Sequence, residues 1–173
     1  MKVEMRIASR RLSLDEARRR LRFADSYSRM DDVIELCFAM QTTDWYTLLG
    51  EEWTGCDNIG LYRLALQKLV PSTGPVAEMM SLEERSAYDS LPDRLTLYRG
   101  CGHINKLGAS WSLDRTVAAR FPYLNRYRQK RPILVTAEVS KAKVLAVKLD
   151  RAEVEVITFA ARRKSVEDLP APT

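Results

Sequence analysis

Arg99, Ser110, Ser112, Glu153 and Glu155 are the residues whose types and spacing suit chemistry. They lie in Leu97-Tyr98-Arg99-Gly100, in Gly108-Ala109-Ser110-Trp111-Ser112 and in Arg151-Ala152-Glu153-Val154-Glu155-Val156-Ile157. A guanidinium such as that of Arg99 makes paired hydrogen bonds to phosphate oxygens and keeps its charge when partly buried. Gly100 beside it lets the backbone approach a ligand closely. In an extended segment, residues two apart face the same way. Glu153 and Glu155 can therefore meet one sugar and one acceptor, and Ser110 and Ser112 share a side while Trp111 turns to the core. A carboxylate near an anomeric carbon stabilises the oxocarbenium-like charge that develops when a glycosidic bond breaks. A second carboxylate can orient or deprotonate the incoming nucleophile. Taken singly, each element also has an ordinary reading. Glu-x-Glu is equally the acidic face of an edge strand, and Arg99 equally a strand-end ion pair.

The order arginine, Ser-x-Ser, Glu-x-Glu, spread over residues 95–159, resembles the arginine–serine–glutamate class of NAD-dependent mono-ADP-ribosyltransferases. The middle residue of the serine motif is usually threonine in that class and is Trp111 here. The segment Asp114 to Phe121, with Ala118 and Ala119, is also similar to the class. The resemblance implies NAD as co-substrate and no metal. It implies that Glu155 stabilises the sugar cation, that Glu153 handles the nucleophile, and that Arg99 anchors an NAD phosphate and braces the site. Ser110 would hold the catalytic glutamate or the nicotinamide ribose. The implied NAD-binding set is Arg99, Gly100, Ser110, Ser112, Phe121 and Arg126. In it Phe121 stacks on nicotinamide, and Arg126, or Arg128 beside it, meets a phosphate. His103 does not match the histidine of the diphtheria-like branch, because Arg99 stands at that position.

The acceptor implied is a macromolecule, with RNA or another nucleic acid slightly ahead of protein arginine. The resemblance further implies an intracellular bacterial or phage toxin and a neutralising partner protein. Two other readings stay open: an NAD glycohydrolase, with water as acceptor, and an inactive NAD-binding or interaction module. The intact motif residues speak against the second.

Composition sets limits of its own. With 28 Lys and Arg against 23 Asp and Glu, the net charge is +5. Arginines cluster at Arg18-Arg19-Arg20 and between Arg120 and Arg131. That balance favours anionic partners, or simply a solvated basic surface. The three cysteines, Cys37, Cys56 and Cys101, have no Cys-x-x-Cys spacing, and one histidine completes no usual zinc pattern. A reducing cytoplasm is the simplest setting. No apolar run reaches the roughly 20 residues of a membrane helix, and the N-terminus has no signal-peptide core.

The elements that must position these residues divide into helices first and strands second, which predicts an α+β fold. The resemblance refines this to a split β-sheet core carrying NAD in a cleft, beside an N-terminal helical lobe. The expected organisation is a lobe over 1–92, the core over 93–161 and a polar, fraying tail over 162–173. Ser13–Glu16 and Ser81–Glu84 read as capping boxes that open helices. Asp31 or Asp32 can cap a second helix, with Val33, Leu36, Cys37 and Met40 on one face. Asp57 precedes a third that carries Leu61, Leu64, Ala65 and Leu69. Trp45 and Trp53, between the second and third helices, read as core or docking residues. Alternation predicts strands near Leu95–Arg99, Ser110–Ser112, Ile133–Val139, Lys143–Leu149 and Val154–Phe159. Asp114 can cap a short helix ending near Pro122.

Overall fold

Two serines open two of the helices. The computed structural model describes residues 11–124, 127–150 and 153–171. In it Ser13 caps α1 (Leu14–Leu21) and Ser81 caps α5 (Leu82–Asp89). Each serine side chain accepts an amide N–H three residues on. Glu16 and Glu84 reach back to the serine N–H, satisfying donors that a helix start otherwise leaves open. Between them lie α2 (Arg29–Leu36), α3 (Thr42–Glu52) and α4 (Arg63–Leu69).

The middle of this lobe departs from expectation. α2 starts before Asp31, because the Asp25 carboxylate accepts the N–H groups of Tyr27 and Ser28 and turns the chain earlier. Asp31 and Asp32 instead occupy the first turn, where the helix dipole favours them. The helix expected after Asp57 opens as a 3-10 turn, Ile59–Tyr62, before becoming α4. It buries Leu66, while Leu61 and Leu64 face solvent. α3 has no cap signal, and its threonines and aromatics are modest helix formers. Burial of Trp45, Leu48 and Leu49 on one face holds it, and the Trp45 indole donates to the Val33 carbonyl at 2.7 Å.

The second half forms one antiparallel sheet among the described residues, in the order β4-β5-β2-β1-β3-β6. The strands are β1 (Arg94–Cys101), β2 (Ser110–Ser112), β3 (Ile133–Ser140), β4 (Ala146–Lys148), β5 (Glu155–Ile157) and β6 (Arg162–Asp168). β1 pairs with β3 along its whole length, from Arg94 opposite Ser140 to Cys101 opposite Ile133. It meets β2 at the single pair Tyr98–Ser112. The two halves of the sheet are thus joined at one point, and the chains splay apart beyond it. α6 (Arg115–Arg120) is capped by Asp114, whose carboxylate accepts the N–H groups of Thr116 and Val117.

β6 corrects the expectation of a fraying tail from residue 162. It pairs with β3 from Ile133–Asp168 to Glu138–Arg162, and all seven of its residues are exposed. Its backbone supplies the pairing, so it needs no apolar face. Its charges suit an edge strand that must not recruit another chain. Arg115 clasps Glu167 and Lys164 meets Glu138 at 2.7 Å across it.

The α+β architecture is as expected. One apolar cluster runs from Ala17 and Trp45 in the lobe to Val147 and Val156 in the sheet. Polar ties cross the same boundary. Lys148 on β4 meets Glu84 on α5 at 3.0 Å with both side chains buried, and the Val76 N–H donates to the Leu145 carbonyl. Among the described residues no helix is long and apolar enough to cross a membrane.

Candidate active site

Arg99 stands on the β1 face that also carries buried Leu95, Leu97 and Cys101. Its Nε donates to the Asn105 carbonyl at 3.1 Å and one terminal nitrogen to the Ser110 carbonyl at 2.6 Å. The guanidinium therefore ties β1 to β2 just where their pairing stops. Gly108 makes room for it: a Cβ there would fall 2.2 Å from the guanidinium carbon. Burial pushes Arg99 below its ordinary pKa, an effect that Cys101 and the Glu155 carboxylate oppose.

Gly100 has a packing role in this structure. A Cβ at this position would lie 1.9 Å from the Ala118 carbonyl oxygen and 2.6 Å from Pro122. What approaches the Gly100 backbone is α6 and the turn after it, so the glycine seats that helix against β1. Gly100 also borders the cleft described below.

Ser112 and Glu155 are direct register partners between β2 and β5, with Ser110 opposite Ile157. Glu155 is buried, at 8 % exposure. Its Oε1 and the Ser110 Oγ each lie 3.1 Å from one donor, the indole N–H of Trp53. Ser112 serves the other glutamate. Its Oγ donates to Glu153 Oε2 at 2.5 Å and accepts the Asp114 N–H at 3.0 Å. The two serines thus divide the two carboxylates between them. Trp111 is buried between them, as expected, with its N–H on the Gly108 carbonyl.

These groups surround one cleft of about 250 Å³. The splayed strands β1 and β2 form one wall, with Glu153 and Glu155. The turn from Trp53 to Gly60 forms the second. Phe121, Tyr127 and Gln129 form the third, the two rings 5.3 Å apart and tilted by 35°. Arg99, Gly100, Ser110, Ser112, Phe121, Glu153 and Glu155 all line it. Arg126 lies outside the described residues. Glu153 and Tyr98 also border a second recess, over Asp114, Arg115 and Val117.

The wall from residues 53 to 60 was not legible in the sequence. Trp53 read as core, and at 1 % exposure it is buried, but its one polar atom faces the motif residues. Asp57 is buried in the same wall. Its carboxylate accepts from the Ser26 hydroxyl at 2.8 Å and from the Tyr127 hydroxyl at 3.4 Å. Asn58 follows with φ 58°, a left-handed conformation that asparagine tolerates better than most residues. Asp57-Asn58 is the kind of pair that makes such a turn, which is the one signal the sequence held.

The cysteines are not arranged as nucleophiles. Burial, reinforced by the charges of Glu52 and Asp57, pushes the Cys56 thiol up to about 12. Burial also raises Cys101 and Cys37. At pH 8 all three stay protonated, and the thiolate is the reactive form. A disulfide reagent such as Ellman's should therefore react slowly with the folded chain and release three equivalents once it is unfolded. Rapid reaction of the native protein would contradict this. From 9.0 upward the unfolded chain loses the Cys56 proton while the folded chain keeps it, so stability falls as pH rises toward about 12.

Among the described residues no cluster of His, Cys, Asp and Glu is placed to ligate a metal ion. No protein-family model matches the chain, and no curated protein and no solved structure matches it either.

Proposed function

We propose that the chain is an NAD-dependent mono-ADP-ribosyltransferase. The observation that carries this reading is the convergence of three separate segments on one cleft. A buried carboxylate at Glu155, a serine at Ser110 and a guanidinium at Arg99 share it, the first two on one hydrogen-bond donor. Oxocarbenium chemistry needs this arrangement: negative charge held rigidly, out of bulk water, beside a sugar.

In the proposed reaction the bond from the ribose anomeric carbon to the nicotinamide nitrogen breaks. Its electron pair stays on that nitrogen and neutralises the pyridinium. Glu155 stabilises the positive charge left on the sugar. Glu153, oriented by Ser112, takes the proton of an acceptor nucleophile as the new bond forms at the same carbon. Arg99 supplies positive charge for the diphosphate, and Phe121 with Tyr127 supplies apolar ring surface for a flat base. The second recess, bordered by Glu153, Asp114 and Arg115, offers an acceptor an approach of its own.

The net charge of +5 favours a polyanionic acceptor such as RNA, with a protein arginine as the competing choice. An intracellular toxin role with a neutralising partner protein belongs to the same reading. The test is label transfer from biotinylated NAD into cell lysate, with RNA and protein fractions separated and Glu155→Ala as control. Label in either fraction that depends on Glu155 supports transfer and identifies the acceptor class. Release of nicotinamide with no label in either would make the chain an NAD glycohydrolase. Neither label nor nicotinamide from the folded chain would overturn the enzymatic reading.

Glu153→Gln separates the two steps. Label transfer should fall about 100-fold, the usual size of a lost proton-transfer group, while nicotinamide release keeps a larger share of its rate. Parallel initial rates of both products check this. Equal loss in both would remove Glu153 from the acceptor side.

A further inference from the structure

The three tryptophans of this chain divide by what their indole N–H groups do. Trp45 donates to the Val33 carbonyl at 2.7 Å and Trp111 to the Gly108 carbonyl at 3.0 Å. A buried tryptophan that only fills space settles its one polar atom in this way, on the nearest backbone acceptor. Trp53 does not. It is 1 % exposed, and its N–H points at two side chains, Ser110 Oγ and Glu155 Oε1, both at 3.1 Å. Glu155 is 102 residues away in sequence.

The turn that carries Trp53, Trp53–Gly55, is fastened from several directions. Glu52, immediately before it, pairs with Arg29 at 2.6 Å, and Arg29 also donates to the Ala24 carbonyl. The Cys56 N–H closes the turn on the Trp53 carbonyl at 3.2 Å. Thr54 donates to the Asp150 carboxylate at 3.0 Å, on the chain between β4 and β5. The indole is thus anchored both to the lobe and to the approach of the strand that carries Glu155.

We propose that Trp53 is a positioning residue for Glu155: its indole N–H holds one carboxylate oxygen and the Ser110 hydroxyl together, leaving the other carboxylate oxygen to face the sugar. This rests on the NAD reading above. It makes the helical lobe part of the reacting centre, because the donor that orients the carboxylate comes from the lobe and not from the sheet. A carboxylate at 8 % exposure has little water to replace a lost donor, so deleting the N–H changes both its aim and its interactions.

Two measurements on the full chain test it. The first needs no NAD. In 15N-labelled protein the Trp53 indole N–H signal should differ clearly between the wild-type chain and Glu155→Gln, because the carboxylate oxygen it is bound to becomes an amide oxygen. The Trp45 and Trp111 signals, bound to backbone carbonyls, should stay still in that comparison. A Trp53 signal unchanged in Glu155→Gln overturns the proposal. The second is kinetic. Trp53→Phe should lower kcat for nicotinamide release roughly 10- to 100-fold, the size expected for one hydrogen bond to a charged group, with KM for NAD within about twofold. A raised KM at unchanged kcat would mean that Trp53 merely shapes the pocket, and would overturn the positioning role. The spectral arm uses the wild-type chain and Glu155→Gln, so it decides the matter even if Trp53→Phe folds poorly. Absence of nicotinamide release from the wild-type chain, with the Trp53 signal still shifted in Glu155→Gln, refutes the NAD reading and leaves the coupling standing. An unshifted signal in an active enzyme refutes the coupling alone.

Discussion

Glu155→Gln should lower the rate of nicotinamide release by about 1,000-fold, the upper range for removing one preorganised electrostatic group, while leaving the fold in place. Glutamine keeps the shape of the side chain, and its amide oxygen can still accept the Trp53 N–H that Glu155 Oε1 accepts at 3.1 Å. On the proposed reading, what is lost is the negative charge beside the sugar. Because Glu155 is buried and surrounded by Ser110, Trp53 and β2, a water or a neighbouring carboxylate has no easy route to replace it. Glu153 is the nearest candidate in sequence, but Ser112 draws it to its own hydroxyl. Chromatographic measurement of nicotinamide, alongside thermal melts, checks the expectation. A rate within tenfold of wild type in a protein with the same melting temperature would remove Glu155 from the chemistry.

The second large effect is on stability. Lys148→Ala should cost about 3–5 kcal/mol, because it leaves the buried Glu84 carboxylate without its counter-charge. The pair is 3.0 Å apart, and each side chain is under a tenth exposed. Lys148 also donates to the Met79 carbonyl at 3.3 Å, so the truncation strands a second acceptor. Glu84 keeps the Ser81 and Leu149 N–H groups, which soften the loss without neutralising the charge. Replacing both partners, as in Glu84→Gln with Lys148→Met, should recover most of the stability, since no charge is then buried alone. Urea unfolding of the three proteins decides it: the single variant should lower the midpoint far more than the double at unchanged slope. Equal midpoints for single and double would show that the pair's charge is not what matters. The damage would reach the site as well, because Lys148 is the register partner of Glu155 on β5.

Much of this fold was legible where a local rule had no rival. Ser13 and Ser81 sit three residues before a glutamate, and both form reciprocal caps. Ile133 to Val139 alternates, and it lies in β3, one of the two longest strands. Asp114 caps the helix expected of it. The motif residues were legible for the same reason, since side chains two apart on a strand share a side. What was hidden depended on distant partners. α3 forms because Trp45, Leu48 and Leu49 find a core, not because threonines and aromatics prefer helix. β6 forms on the free edge of β3, and its residues Arg162–Asp168 carry no burial pattern to read. Leu61 and Leu64 suggested a buried face that Leu66 supplies instead, because the 3-10 turn before α4 shifts the helical phase. Trp53 was legible as buried and illegible as a partner of Glu155, since nothing local marks a contact across 102 residues.

The position of β5 between β4 and β2 also governs when the molecule becomes complete. β2 and β4 lie far apart in the chain and share no edge until residues 155–157 arrive to bridge them. A growing chain can assemble the lobe first and pair β1 with β3 once Ser140 is made, yet until β5 follows it exposes open strand edges and lacks its buried carboxylate. Pairings that close such long loops are slow, and unpaired edges invite aggregation. On the proposed reading, a chain that stops anywhere before Glu155 lacks the carboxylate that the reaction needs.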